Sequence, residues 1–465
     1  MGGLLAALQT ASTALDVFSR ALGTDQSNVA NASTPGYVTQ NTTILPIDLS
    51  GDGAGGGDSV SVTSSGNSYT DALVQAAGSQ ASSSATLVSQ LTPVNQLFDI
   101  TGATGILAAF QQFSSAFSSL SVNPNDQTLQ ANALTAAGSV ASAFQSVTAS
   151  LDSQQSQVDS QIQSSTTQIN TLAGQIRQLN VQAAGESPIN PGTDANLRSD
   201  LTQLSSLVDI TVTKNANGSV NVLAGGQLPL VLGDQAYKLS ANPAAAPGAQ
   251  ITSSAGGNSP ATFSGQLGAL LETRNGTLAQ LLGSNASPGT LNTLASGFAS
   301  RVNTLLTSGV TATGAAGVPI FTYDAANPSN AARTLTLNPS VTPAQLALAT
   351  AGASAEANGV ANALAALPAS NNAADQIGGL SANDLFASIA ASVGQQLSDA
   401  QTASTSDQTT LTSAQATQQQ QSGVSLDQEA TDITTYQRAY AANAQIVTIL
   451  DQLTSQTIDM IPPEA

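Results

Sequence analysis

The sequence predicts a mainly α protein: an elongated coiled coil and helical rod with discontinuous N- and C-terminal helices, plus a small inserted β domain. Three observations predict it. Apolar residues recur at heptad spacing near both ends and through a long central stretch. The period changes to two around residues 208–232, where an Asn-Gly pair supplies a hairpin turn. Aromatic side chains are only 3% and charged ones 8% of the chain, which suits long polar-faced helices better than a dense globular core.

At the start, Leu4, Leu8, Ala11, Leu15, Phe18, Leu22 and Val29 follow steps of four and three, with one seven-residue step across Asp25. This seam predicts a helix of about 27 residues, about 40 Å long. It ends at Asn31-Ala32-Ser33-Thr34-Pro35-Gly36-Tyr37, where Pro35-Gly36 fits the central pair of a type II turn. Gly51, Gly53 and Gly56 satisfy G-x-G-x-x-G, yet Asp58-Ser59-Val60-Ser61-Val62-Thr63 alternates like a strand. A dinucleotide site needs a helix there, so the pattern reads as a loop.

The strongest helical signal is Leu151, Val158, Ile162, Ile169, Leu172, Ile176, Leu179 and Ala183, set in Gln, Ser and Thr. After the breaker Ser187-Pro188-Ile189-Asn190-Pro191-Gly192, Leu197, Leu201, Leu204 and Val208 predict a helix that folds back on it. Further helices are expected at 110–120, 267–282, 291–306 and 380–420. The β domain is placed at 208–264, from Val208, Ile210 and Val212 through Val220, Val222, Leu228, Leu230 and Leu232, closing at Thr262-Phe263.

At the far end Ile433, Tyr436, Tyr440, Val447 and Leu450 recur at steps of three, four and seven, with Ile446, Ile449 and Leu453 as a second stripe. Two such terminal helices bury their apolar faces by pairing with each other and by packing against other copies. Tyr436 and Tyr440 suit packing within a subunit and an interface between subunits equally. Residues 1–90 and 421–465 are thus expected to form a terminal assembly layer. Residues 91–207, 265–320 and 332–420 form a helical rod, 208–264 the β domain, and 321–335 a short connector.

The chemistry available is narrow. No Cys, His or Trp occurs, which removes most thiol, metal and general-base chemistry. Lys214, three residues after Thr211, reads as pointing outward from a strand, and Glu186 and Glu272 are isolated carboxylates. No catalytic, cofactor or metal site is expected, and the chain reads as no enzyme. Nine basic against 28 acidic residues, a formal net charge of −19, would repel nucleic acid. No apolar run reaches membrane-spanning length, and the N-terminal segment, whose first basic residue is Arg20, does not read as a signal peptide.

Asn28-Val29-Ala30-Asn31-Ala32-Ser33-Thr34-Pro35-Gly36-Tyr37 resembles the signature that follows the first helix in flagellar rod, hook and hook-associated proteins. Ser422 through Asn443, with Gly423-Val424, Leu426-Asp427, Glu429-Ala430 and Gln437-Arg438-Ala439-Tyr440, resembles their C-terminal signature. The central heptad helix, Asn196-Leu197-Arg198-Ser199-Asp200-Leu201 and Asn358-Gly359-Val360-Ala361-Asn362-Ala363-Leu364 are similar to the hook-filament junction members of that superfamily. Two departures stand out. The acidic pair that usually flanks the arginine is reduced to Asp200, and a variable domain of larger members is missing between Phe321 and Leu335.

The resemblance implies a structural subunit outside the cell, in the flagellum, exported by the flagellar type III apparatus without a cleaved signal peptide. Expected partners are other copies in a helical layer, hook protein, the next junction protein, and an export chaperone at the C-terminal helix; nucleic acid and membrane are not. Leu4, Leu8, Leu15, Phe18, Leu22, Val29, Asn31, Pro35, Gly36, Tyr37, Leu426, Ile433, Tyr436, Tyr440, Val447 and Leu450 are the expected assembly residues. A hook or distal rod subunit is the alternative, and a secreted coiled-coil adhesin a more distant one.

Overall fold

Two antiparallel helix pairs bring the chain ends together in the computed structural model, which describes residues 2–46, 58–101, 103–185, 190–245, 248–256, 262–284, 287–352 and 356–459. The glycine pattern at Gly51, Gly53 and Gly56, the carboxylate of Glu186 and the start of the 187–192 breaker lie outside the described residues.

Helix α1 (Gly2–Asn31) leads through strands β1 (Gln40–Pro46) and β2 (Asp58–Ser64), an antiparallel pair, into α2 (Ser68–Gln96). The sequence reading does not anticipate α2. Its covered face is built largely of small and polar residues, Thr70, Ala77, Ser79, Ala81 and Ser84, which carry a weak hydrophobic period. Asn67 caps it, its side chain accepting from the Tyr69 N–H at 2.9 Å.

The helical rod comprises α3 (Gly105–Val122), α4 (Gln127–Gly185) and α5 (Pro191–Leu207). α4 begins well before the heptad run that signals it, and its 59 residues span about 88 Å. Asp126 starts it by accepting from the Thr128 and Leu129 N–H groups. Pro191 at the first turn and the Asn190 side chain on the Gly192 N–H start α5, which packs back on α4.

Strands β3 (Ile210–Lys214), β4 (Val220–Ala224), β5 (Leu228–Leu232) and β6 (Gln235–Ala236) form one antiparallel sheet, and β7 (Leu239–Asn242) and β8 (Gln250–Ser253) a second. Two expectations are corrected here. Thr262-Phe263 adds no strand, because Phe263 packs on the core from irregular backbone leading into the next helix. Nor does the segment stand apart. Val222, Leu230, Leu239 and Ile251 join the core of the helical rod, and α4 donates Asn170 to Leu239 O and Asn180 to Val220 O and Gly233 O.

Next come α6 (Gly265–Glu272), a π-helical turn (Thr273–Leu278) and α7 (Ala279–Leu282). The π turn aims Arg274 at Asp159 of α4, 2.7 Å away, and Asn275 at the backbone of Ala249. α8 (Thr290–Ser308) and β9 (Gly309–Val310) precede the expected connector. That connector is a short ribbon, β10 (Phe321–Thr322) with β11 (Thr336–Leu337), around α9 (Ala331–Thr334). β12 (Ala349–Thr350), α10 (Gly359–Ala366), α11 (Ala382–Ser422) and α12 (Leu426–Asp459) complete the chain.

Phe110, Phe113, Phe144, Phe298 and Phe321 form an aromatic centre joining α3, α4, α8 and β10, with Phe110 and Phe298 centroids 4.7 Å apart. Farther out, α2 and α11 run antiparallel over two small apolar patches, Val74, Ala77 and Ala414, then Leu91, Leu397 and Ala400. Among the described residues no helix is long and apolar enough to cross a membrane.

Candidate assembly site at the chain ends

Thr34, Pro35, Gly36 and Tyr37 make the type II turn expected after α1, with Gly36 at φ 77° and the Tyr37 N–H donating to Thr34 O at 3.1 Å. Asn31 closes the helix by donating to Ser27 O at 2.8 Å. Gly36 is needed twice over. Its φ is left-handed, and a Cβ there would overlap the Ala195 carbonyl oxygen of α5. The turn returns the Tyr37 hydroxyl to the end of α1.

That hydroxyl donates to Asn28 Oδ1 at 2.9 Å. The same oxygen accepts from the Gln40 N–H at 3.0 Å, while Asn28 Nδ2 donates to Gln40 O and to both carboxylate oxygens of Glu429, at 3.0–3.1 Å. Asn28 is 1% exposed, so a single amide ties α1, β1 and α12 together with every polar atom engaged. Burial raises the pKa of the Glu429 carboxyl, and the Asn28 amide opposes that rise. Burial likewise raises Tyr37. The contacts Asn28 to Glu429 and Phe18 to Tyr436, whose rings lie 6.3 Å apart, make α1 and α12 antiparallel.

The break between α11 and α12 falls beside the break between α1 and α2. Thr39 donates through its N–H to Ser422 O at 2.9 Å and through its hydroxyl to Gly423 O at 2.8 Å. Ser422 Oγ donates to Ser65 O, and Asn67 Nδ2 to Gln421. One turn deeper, Gln418 donates to Asp71 at 2.7 Å, and Asp71 pairs with Arg198 of α5. Arg198 also meets Asp194 at 3.0 Å, with Lys214 3.7 Å beyond on the same carboxylate. Its acids thus come from the preceding helical turn and from α2, and Asp200, the one acid left of the flanking pair, is not among them. Burial acts to lower the Arg198 pKa, but the charges of Asp194 and Asp71 outweigh it and hold it above its ordinary value. Gly66 makes room, since a Cβ there would overlap the guanidinium. A polar cleft of about 650 Å³ opens between Pro35, Gly36, Arg198, Gln419 and Gly423.

The heptad seam expected on α1 is covered at Ala11 and shifted by one position from Leu15 onward. Leu4, Leu8, Leu15, Phe18 and Leu22 are half-buried and Val29 is exposed; the covered stripe is Ala11, Ala14, Val17, Ala21, Asp25 and Asn28. Small side chains at the centre let two helices approach closely, and the bulky ones flank the seam, where one partner helix covers them only in part. On α12, Ile433, Tyr436, Val447 and Leu450 are half-buried, whereas Leu426 and Tyr440 are exposed. The structure thus separates the two tyrosines: the Tyr436 ring meets that of Phe18 at a tilt, and Tyr440 is exposed. Asn31 and Gly36 are half-buried at the turn, and Pro35 is exposed. Glu272 is exposed at the end of α6, away from this site.

Sequence reasoning quoted Asn28, Glu429 and Arg198 within motifs without seeing them as contacts, and missed Thr39, Gln40, Asp71 and Asp194. One signal was present. Asn28 continues the seven-residue spacing of Ala14 and Ala21, a polar residue on an otherwise small apolar stripe.

Residues 91–321 match the helical-domain family of the flagellar hook-associated protein FlgK, and residues 417–460 match the C-terminal family of the flagellar basal body rod proteins FlgEFG. The flagellar hook junction protein FlgK from Burkholderia pseudomallei superposes with a TM-score of 0.63 at 16% identity, over 75% of this chain and 99% of that chain. No curated protein matches in a sequence comparison. Terminal helices joined through paired end signatures, around a helical rod, define a structural protein of the bacterial flagellum. Within that class the chain belongs to the hook-associated protein 1 family, that of FlgK.

Proposed function

We propose that the chain is the structural subunit joining hook to filament, and that it polymerises through the outer faces of α1 and α12. One observation carries the polymerisation. Along residues 426–457 of α12 only Glu429 is buried, while Leu426, Tyr440, Ile446, Ile449 and Leu453 are exposed, Ile449 to 55%. A helix this open on its apolar side needs more covering than α1 provides. Half-buried Leu8, Leu15 and Leu22 beside exposed Val29 continue the same surface on α1. Repeated head-to-tail contacts of this kind extend into a helical layer rather than a closed dimer. Hook protein would lie on one side of that layer and the next junction protein on the other.

Before assembly the open stripe needs protection, which motivates an export chaperone over Ile433, Tyr440 and Val447. Passage through the flagellar type III apparatus, without a cleaved signal peptide, would place the subunit outside the cell. The role asks for no catalytic group. The 59-residue α4 and the match to the helical-domain family favour the junction over a hook or distal rod subunit.

The test replaces exposed residues only. Ile446→Asp with Ile449→Asp should leave the monomer's thermal melting within about 0.5 kcal/mol of wild type. Electron microscopy of hooks from cells carrying the variant should show no junction layer, and motility should be lost. Normal junctions would overturn the proposal.

A further inference from the structure

Charge placement gives the α1–α12 pair a property beyond its apolar contacts. Asp25 lies on the covered stripe of α1, 5% exposed and one turn before Asn28. Its Oδ2 is buried and accepts no hydrogen bond. The groups facing it from α12 are Glu429, itself 5% exposed and held on Asn28, and Asp432, which accepts from Gln428. Tyr436 of α12 and Tyr37 of the turn are the neighbouring phenols. Strands β1 and β2, which also pack on α1, contain one titratable residue, Asp58, whose backbone pairs with Pro46 in the ladder. Among the described residues no cation pairs with this group: Arg20 is exposed with Asp16, and Arg438 is exposed on α12.

We propose that docking of the two chain ends is coupled to proton uptake at Asp25, so that mildly acidic medium tightens the α1–α12 pair and neutral or alkaline medium loosens it. An ionised carboxylate without a donor or cation is unfavourable in this interface, and two facing carboxylates add repulsion. Protonation removes both penalties and creates an O–H donor next to carboxylate acceptors. Burial first, then the charges of Glu429 and Asp432, raise Asp25 from 3.8 to about 6. The docked state therefore holds the extra proton. Pairing strengthens as pH falls through about 6 and stops strengthening near 4, where the undocked carboxyl also protonates. The coupling lies within one chain and holds whether or not the junction role does.

The test is hydrogen exchange on the full-length protein at pH 7.5 and pH 5, corrected for the intrinsic pH dependence of exchange, with α4 amides as internal reference. Protection across 11–28 and 429–440 should rise about tenfold relative to α4 on acidification. Asp25→Asn, neutral at both pH values, should hold the acidic level of protection throughout. Glu429→Gln, which keeps an acceptor for Asn28, should raise protection at pH 7.5 and shrink the response; it decides the matter if D25N prevents docking altogether. Wild-type protection that stays flat or falls on acidification would overturn the proposal. So would a full wild-type response in a docked D25N, or in E429Q where D25N fails to dock.

Discussion

Asn28 shows how much one side chain can hold at the chain ends. Its amide serves Gln40 through both backbone atoms, Tyr37 through its hydroxyl and Glu429 through its carboxylate, all out of water. Asn28→Ala removes those partners at once and leaves a buried carboxylate and a buried N–H unsatisfied. The expected loss in docking of α12 is about 2–3 kcal/mol. Limited proteolysis within 426–457 should quicken by at least tenfold, while melting of the helical rod stays unchanged. An unaltered cleavage rate would show that Asn28 does not hold the ends together. Gly36 and Gly66 work by absence at the same place, one letting the turn sit on α5 and the other admitting the Arg198 guanidinium.

Between elements, the decisive contacts are those of α4. It carries the fold-back of α5, the ribbon of β10 and β11, and the β segment, which it grips through Asn170 and Asn180. The change to a period of two placed a small inserted β domain at 208–264. Its inner residues, Val222, Leu230, Val231, Leu239 and Ile251 among them, instead share the core of the helical rod. Each is worth about 1.5–3 kcal/mol of burial. Replacing residues 210–253 with a short linker should lower the melting temperature of the helical rod by roughly 10 °C or more. Unchanged melting would mean that α4 and its helical neighbours are self-sufficient.

Across the whole molecule, cohesion falls from the aromatic centre outward. The core cluster is continuous through the helical rod, shrinks to two small patches between α2 and α11, and among the described residues includes none of α1 or α12. Helices joined by so little burial open readily, because an isolated helix in water is close to marginal. In the free monomer, amides of α1 and α12 should exchange at least a hundredfold faster than those at the centre of α4, and in the assembled layer the gap should close. Ends protected as well as α4 before assembly would rule out coupled ordering and assembly.

Local pattern was enough for the helical class, the type II turn at Thr34–Tyr37, the heptad face of α4 and the period-two strands beginning at Ile210, because each depends on side chains a few positions apart. The two end signatures were also readable as letters. What they do together was not: Asn28 meets Glu429, and Arg198 meets Asp71, across 401 and 127 residues. Helix α2 stayed hidden because its partner α11 accepts small polar residues where a water-facing core would need large apolar ones. The seam of α1 moved one position for a related reason. Heptad spacing specifies a stripe, but how closely two helices approach decides whether leucines or alanines occupy its centre. Secondary structure here is set by neighbours in sequence, whereas close approach, buried hydrogen bonds and facing charges depend on which segments tertiary packing brings together.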